Sequence, residues 1–255
     1  MVTSGKNKLR SIQDSVYYAL RNSIINLNLT PGTAISETEI SKKFGVSRTP
    51  VREAFIRLSK EGLVEVIPQK ETLVSLIDPA RVKQEFFLRK SLETAALEPF
   101  LLNNGSRHFV EMENLIIRQS GAIKSKSYID FISYDDRFHQ ILFEGANQEL
   151  SWEVVASMSG HYHRVRMLTI WMAGVAENKL TEHKNILAAL KKGEPENVKK
   201  ELYCHLHNLD TEEKLLKKEF PGYFACKESK NVFDVDFGGN PRFEDLGISV
   251  GVQYS

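Results

Sequence analysis

The sequence predicts a mainly α-helical protein with two parts: an N-terminal unit of three helices and a β-hairpin, and a C-terminal all-α antiparallel bundle of six or seven helices. Three observations support this prediction. Apolar residues recur every three or four positions through most of the chain, which is the period of an amphipathic helix. Two stretches rich in β-branched residues lie on either side of residue 70 and suit hairpin strands. With 255 residues, the chain is long enough for two separately packed domains.

We place the domain boundary after residue 77. Residues 1–77 then form the N-terminal domain, residues 78–224 form the bundle, and residues 225–255 form a tail without an assigned role. The first residues lack the apolar run of a signal peptide, and no apolar stretch is long enough to cross a bilayer. Cys204 and Cys226 form no C-x-x-C pair, which fits free thiols in a reducing compartment. We therefore expect a cytoplasmic protein with no membrane partner.

The first two helices are marked by periodicity and by their ends. An apolar residue recurs every three or four positions from Leu9 to Leu27, which predicts a helix with one buried stripe. Pro31-Gly32 ends this segment. Ser36-Glu37-Thr38-Glu39 has the S-x-x-E form of a capping box, which predicts the start of a second, short helix. Gly45 ends that helix, because glycine adopts the left-handed conformation at little cost.

A third helix and a hairpin follow. Ser47 is the expected N-cap, Pro50 falls in the first turn, where its missing N–H costs nothing, and Gly62 ends the helix. Residues 63–67 and 72–76 predict two strands joined by a turn. Two helices, a tight turn, a helix and a hairpin in this order are typical of a winged helix-turn-helix.

This arrangement suits DNA. Arg48 and Arg52 share an outer face of the third helix, and each can fork onto guanine or a phosphate. Ser47 and Thr49 lie beside the free N–H groups at the helix start, and Lys70 lies at the wing tip. Residues 1–75 contain eleven Lys or Arg and seven Asp or Glu, a net charge of +4, whereas the whole chain carries +1. The alternative is a protein–protein module with a solvated basic face.

The segment from Pro31 to Lys70 closely resembles the winged helix-turn-helix of the GntR family. The matching residues include Phe44-Gly45-Val46, Ser47 to Ala54 and Glu61 to Val64. The resemblance implies a homodimeric regulator, a repressor in our prediction, that binds a palindromic double-stranded operator. Its DNA contacts would map onto Thr38, Arg48, Thr49, Arg52 and the wing. One departure is Glu71, where this family usually has a glycine at the wing tip; a carboxylate there repels phosphate and disfavours a positive φ, which argues against a minor-groove contact by the wing.

Histidines in the bundle suggest a metal site. Asp135 and His139 are four residues apart, so on a helix they share a face and can bind one ion. His183 lies at the start of another predicted helix and His205 near the middle of the last long one, and a bundle core can collect ligands from facing helices. Three histidines and one carboxylate suit a divalent transition metal such as Zn²⁺ or Ni²⁺. The alternative is a chance spacing among the seven histidines of the chain.

A second resemblance supports this site. Asp135-Asp136-Arg137-Phe138-His139 resembles the D-x-x-F-H motif of the FCD domain, the ligand-binding domain in the FadR subgroup of GntR regulators. Glu182-His183 resembles its second motif, and His205 lies where a third histidine is expected. The resemblance implies that all four ligand positions of the metal-binding branch are filled. It also favours Arg89 as a residue that binds the carboxylate of an effector, with Arg164 and Arg166 as weaker candidates. The alternative for Arg89 is a helix ion pair with Glu93, four residues further on. His161 and His163 match no motif position, and we assign them to the surface or the cavity wall.

Three functions stay open. The first is a transcription regulator, not an enzyme, whose operator affinity changes when a small organic acid binds beside the metal. The second is a metal-dependent hydrolase fused to a DNA-binding domain, which lacks an evident general base in the sequence. The third is a regulator whose metal is purely structural.

Overall fold

The computed structural model describes residues 11–67, 71–103, 105–206 and 209–225. Its N-terminal part contains three helices and a small sheet, and the predicted fold class is confirmed for this part. The elements are α1 (Ile12–Ile25), β1 (Ala34–Ile35), α2 (Glu37–Phe44), α3 (Arg48–Lys60), β2 (Val64–Ile67) and β3 (Glu71–Val74). The strand order in the sheet is β1-β3-β2, and both pairings are antiparallel.

The ends of these helices follow the local sequence. The Ser36 hydroxyl accepts a hydrogen bond from the Glu39 backbone N–H at 3.1 Å, as the capping-box pattern predicts. Gly45 ends α2 with a φ of +65°, a left-handed conformation that favours glycine. Strand β1 was not predicted, because two residues are too few to show an alternating pattern. It pairs Ala34 with Leu73 of β3 and adds a third strand to the sheet.

A single core joins the N-terminal elements. Helix α1 packs on α3 through side chains such as Val16 and Leu20, which are buried together with Val51 and Phe55. Burial of these apolar side chains fixes the outer face of α3 toward solvent. The wing turn, including Lys70, lies outside the described residues, as does the predicted tail beyond Ala225.

The C-terminal part is all-α within the described residues, as predicted, but it has eight α-helices where the sequence indicated six or seven. Gly121 lies within a helix and does not end one. None of the described helices is both long enough and apolar enough to cross a membrane. The helices are α4 (Pro79–Leu102), α5 (Phe109–Ser125), α6 (Tyr128–Gly145), α7 (Glu149–Ser157), α8 (Gly160–Ile170), α9 (Val175–Lys192), α10 (Pro195–Leu206) and α11 (Leu209–Glu219).

The connection between the two parts is short and held in place. The Asp78 carboxylate accepts a hydrogen bond from the Ala80 N–H at 2.8 Å, so α4 begins directly at Pro79. Ile77 is fully buried and forms a parallel β-bridge with Phe224. The Ile77 N–H donates to the Tyr223 carbonyl at 2.8 Å, and the Ala225 N–H donates to the Ile77 carbonyl at 2.9 Å. The C-terminal end of the described chain therefore clamps the interdomain connection.

Candidate functional site

The face of α3 that the sequence assigns to DNA is exposed. Ser47, Arg48 and Thr49 lie at its N-terminal end, and Arg52 lies one turn further on. Thr38, in the first turn of α2, is exposed as well. The Ser47 hydroxyl makes no capping bond, so it stays available to a ligand. The structure therefore presents these five residues to solvent, where a phosphate or base edge could meet them.

Four side chains in the bundle converge on one point. Asp135 and His139 come from α6, His183 from α9 and His205 from α10, and all four are buried. One ligand atom from each lies within 4.8 Å of the others. We call these four residues the His/Asp cluster. The sequence placed His183 near the start of a helix, whereas it lies in the middle of α9.

The three histidines all direct Nε2 into the cluster. The Nε2 atoms of His139 and His205 are 3.0 Å apart, and those of His183 and His139 are 3.3 Å apart. The His183 Nε2 is also 3.3 Å from Asp135 Oδ1. Burial, the largest influence in each case, lowers the pKa of His183 and holds the pKa of His205 well below its usual value. These two imidazoles are therefore neutral at pH 7, the form that binds metals.

Each histidine has an outer partner on its Nδ1. His139 Nδ1 lies 2.7 Å from Glu93 Oε2, and His205 Nδ1 lies 2.7 Å from Glu182 Oε2. A carboxylate only accepts hydrogen bonds, so these two histidines carry their proton on Nδ1. His183 Nδ1 lies 2.8 Å from the side-chain oxygen of Gln119, consistent with the same tautomer. The sequence interpretation treated Glu93 only as a helix ion pair and did not assign Gln119 a role.

This geometry fits a metal ion. With its proton on Nδ1, a neutral imidazole presents the Nε2 lone pair that a metal ion binds, and the Nε2 atoms of His139 and His205 face each other at 3.0 Å. Outer acceptors that fix the tautomer in this way are the usual surroundings of metal-binding histidines. Three imidazoles and one carboxylate match the preferences of Zn²⁺ or Ni²⁺. The converging donor atoms and the acceptors on Nδ1 thus support a metal site, which the sequence spacing alone could not do.

Two arginines contact the carboxylates of α6: Arg89, which is buried, and Arg166, which is partly buried. Arg166 donates to both Asp135 and Asp136, with an Arg166 Nη1 to Asp136 Oδ1 distance of 2.6 Å. Burial by itself raises the pKa of Asp135, but Arg166 and His183 outweigh it and hold this pKa well below its usual value. Arg89 donates to Glu93 at 2.6 Å and lies 3.6 Å from Asp135. Asp135 is therefore ionised, as a metal ligand must be.

A cavity adjoins the cluster. Asp135 and His205 form part of its wall, so a molecule inside it could reach a bound ion. Its lining combines cationic groups with apolar side chains, as expected for a small acid with an apolar body. The lining residues are Arg89, Phe131, Ile132, Asp135, Tyr162, Arg166, Thr169, Ile170, Val175, Lys179, His205 and Leu206.

Helix α8 contacts both the cavity and the N-terminal domain. Tyr162 and Arg166 line the cavity, whereas Arg164 points the other way and is fully buried. Arg164 Nη1 donates to the Ser75 carbonyl at 2.6 Å, and Nη2 reaches His161 Nδ1 at 3.1 Å. Arg164 therefore belongs to the interface between the domains, although the sequence suggested a weak effector role. Burial lowers the pKa of Arg164 to about 10, which leaves it charged at pH 7.

Two histidines of α8 complete this interface. His161 Nε2 lies 3.0 Å from the carbonyl of Gly62, directly after α3, and its Nδ1 accepts from the Asp78 N–H at 3.0 Å. His163 Nε2 lies 3.1 Å from the side-chain oxygen of Asn26, the C-cap of α1. We call Ser75, His161, His163 and Arg164 the interdomain joint. Sequence reasoning treated both histidines as surface or cavity-wall residues, because their partners lie more than 80 positions away.

Comparisons with known proteins agree with this architecture. Residues 12–74 match the model for bacterial regulatory proteins of the gntR family, and residues 85–208 match the FCD domain. The HTH-type transcriptional repressor RspR of Escherichia coli K12 is 31% identical over 219 residues, which is 86% of this chain and 96% of that protein. A regulator from an unstable DNA locus of Streptomyces ambofaciens is 32% identical over 228 residues, covering 88% and 92% of the two chains.

Solved structures share the fold. E. coli McbR/YncC superposes with a TM-score of 0.70 at 18% identity and covers 83% of this chain and 100% of its own. A GntR regulator from Rhodococcus sp. RHA1 gives a TM-score of 0.68 at 22% identity, covering 81% and 98%. The arrangement of an N-terminal helix-turn-helix and a helical C-terminal part is therefore shared with both structures.

Proposed function

The chain belongs to the gntR family of bacterial regulatory proteins, and on that basis we propose that it is a ligand-responsive transcription regulator that represses its target. The observation that carries this proposal is the exposed face of α3, with Arg48 and Arg52 inside the segment that matches the family. In this proposal α3 enters the major groove, Arg48 and Arg52 contact bases or phosphates, and Thr38, Ser47 and Thr49 contact the backbone. Lys70, outside the described residues, would add a wing contact.

The His/Asp cluster would hold one divalent transition metal. Support comes from the converging Nε2 atoms of three histidines and from the acceptors on the Nδ1 atoms of His139 and His205. The ion would fix the facing helices α6, α9 and α10 and offer an electrophilic contact to an oxygen of the effector. We propose Zn²⁺ or Ni²⁺, because imidazole nitrogen dominates the donor set.

The effector would be a small organic acid in the adjoining cavity. Arg166 and Arg89 offer guanidinium groups there, and the apolar wall excludes water from the rest of the ligand. Arg89 is already paired with Glu93, so an effector carboxylate would have to share or displace part of this ion-pair network. Helix α8 would pass such a change to the N-terminal domain, because Arg164 and Arg166 lie on the same helix.

The assembly would be a homodimer on a palindromic operator in the cytoplasm. Two copies of α3 related by a twofold axis match two half-sites one DNA turn apart. We do not propose catalysis. Four protein ligands in the cluster would leave less room for a substrate on the ion, and the relatives of this chain named above are regulators. If the metal proves purely structural, its removal will lower the melting temperature while no small acid changes the operator affinity.

The DNA-binding proposal can be tested by selecting duplexes from a random pool with the full chain. Arg48→Ala and Arg52→Ala should each weaken binding to the selected site by about 1–3 kcal/mol if they contact guanine. Lys60→Ala, which removes the same charge at the far end of α3, is the matched control and should weaken binding less. Unchanged affinity in both arginine variants would exclude α3 as the recognition helix. Melting temperatures with Zn²⁺ and a panel of hydroxy and dicarboxylic acids would test the effector.

A further inference from the structure

Arg48 and Arg52 share an outer face of α3, but their surroundings differ. Arg52 forms a two-point ion pair with Glu37 of α2: Nε lies 3.0 Å from Oε1, and Nη2 lies 3.1 Å from Oε2. Within the described part of the chain, no ion pair or hydrogen bond engages the Arg48 guanidinium. Glu37 and Arg52 are 15 positions apart and lie on successive helices. The structure therefore orients the Arg52 guanidinium through two contacts with Glu37.

The pair faces solvent on the side assigned to DNA. The Arg52 side chain is 67% exposed and the Glu37 side chain 29% exposed. An ion pair this exposed contributes little to the free energy of folding. A carboxylate beside the DNA-facing surface also repels phosphates, so its position there costs affinity unless it improves recognition. A gain in the free energy of folding therefore does not explain the contact between Arg52 and Glu37.

The donors that Glu37 leaves free decide what Arg52 can bind. An arginine has five N–H donors in a rigid plane, and Glu37 uses the side formed by Nε and one N–H of Nη2. The end of the guanidinium, formed by Nη1 and the second N–H of Nη2, stays available. This end offers two parallel donors, which is the pattern that matches O6 and N7 of guanine in the major groove.

We propose that Glu37 is a positioning residue that orients Arg52 for base readout and so helps to set the operator sequence. The proposal rests on the proposed function, in which α3 enters the major groove. Holding the guanidinium before binding lowers the conformational entropy lost when the arginine meets a base. It also directs the free end of the side chain toward one base pair, which favours guanine over the other bases at that position.

The test uses the full chain and duplexes selected by the wild type from a random pool. Affinities are measured for every single-base change in the selected site, for Arg52→Ala, Glu37→Gln and Glu39→Gln. Arg52→Ala identifies the base pair that Arg52 reads. At that base pair Glu37→Gln should reduce the preference for guanine about tenfold, within the range expected for one bidentate contact. Glu39→Gln removes the same charge from the same helix and should leave that preference unchanged.

A double-mutant cycle separates positioning from a general effect on the fold. If Glu37 acts only through Arg52, the double variant of Glu37→Gln and Arg52→Ala should discriminate no worse than Arg52→Ala alone. Full retention of the guanine preference in Glu37→Gln would overturn the proposal, and so would an equal loss in Glu39→Gln. Failure of the wild type to select any duplex would instead overturn the proposed function.

Discussion

His183→Ala is expected to abolish tight binding of Zn²⁺ or Ni²⁺. His183 supplies one of three converging Nε2 atoms, and its loss leaves Asp135, His139 and His205 as the protein ligands. Loss of an outer partner alone typically reduces metal affinity by about 10–100-fold, so loss of a direct ligand should exceed 100-fold. A metal at about 1,000 times its Kd stabilises the folded state by about 4 kcal/mol, but at about 10 times its Kd by only about 1.4 kcal/mol, so most of the rise in melting temperature with Zn²⁺ should be lost in the variant.

Metal content of the purified variants and calorimetric titration with Zn²⁺ measure this effect. His108→Ala is the matched control, because His108 lies outside the His/Asp cluster and contacts Arg107. It should bind metal as the wild type does. Full metal occupancy in His183→Ala would remove His183 from the site, and the absence of any Zn²⁺ response in the wild type would contradict the metal proposal as a whole. The helix-turn-helix, which shares no residue with the cluster, should keep its fold in both variants.

Arg164→Met is expected to destabilise the interdomain joint. The substitution keeps an unbranched side chain but removes the donors to the Ser75 carbonyl and to His161. A buried carbonyl that loses its partner costs about 1–3 kcal/mol, and this applies to the Ser75 carbonyl, whereas His161 Nδ1 keeps the hydrogen bond from the Asp78 N–H. We therefore expect a loss of about 1–3 kcal/mol in the free energy of unfolding, measured by denaturant titration.

The same variant should weaken communication between the domains. In the proposed function, effector binding changes the operator affinity through α8, and in Arg164→Met this change should become smaller. Arg137→Met is the control, since Arg137 pairs with Glu111 and Glu144 at the surface of the bundle and should cost no more than about 1 kcal/mol. Equal unfolding free energies for Arg164→Met and Arg137→Met would show that the joint does not hold the domains together.

Features that depend on neighbouring residues could be predicted from the sequence. The capping box at Ser36, the left-handed Gly45 and the face shared by Asp135 and His139 follow from spacing alone. The assignment of His183 and His205 to the same site came from the family resemblance, because spacing cannot show which helices face each other.

Features that depend on distant residues could not be predicted. Glu93 reaches His139 across 46 positions, and Gln119 reaches His183 across 64. Glu93 has an arginine one helical turn away, so its sequence context indicated an ordinary ion pair. His161 and Arg164 have partners in the other domain, and only the packing of α8 brings them together. The two-residue strand β1 likewise exists only because β3 offers it an edge.

The β-bridge between Ile77 and Phe224 limits the spacing between half-sites that a dimer could bind. The N-terminal domain cannot turn about its connection without breaking two backbone hydrogen bonds and exposing Ile77. Inserting one base pair between two half-sites rotates one of them by about 35° relative to the other, and a domain held this firmly cannot follow. Operator affinity should therefore fall steeply when the half-site spacing changes by one base pair, because the two DNA-binding domains keep a fixed separation and orientation.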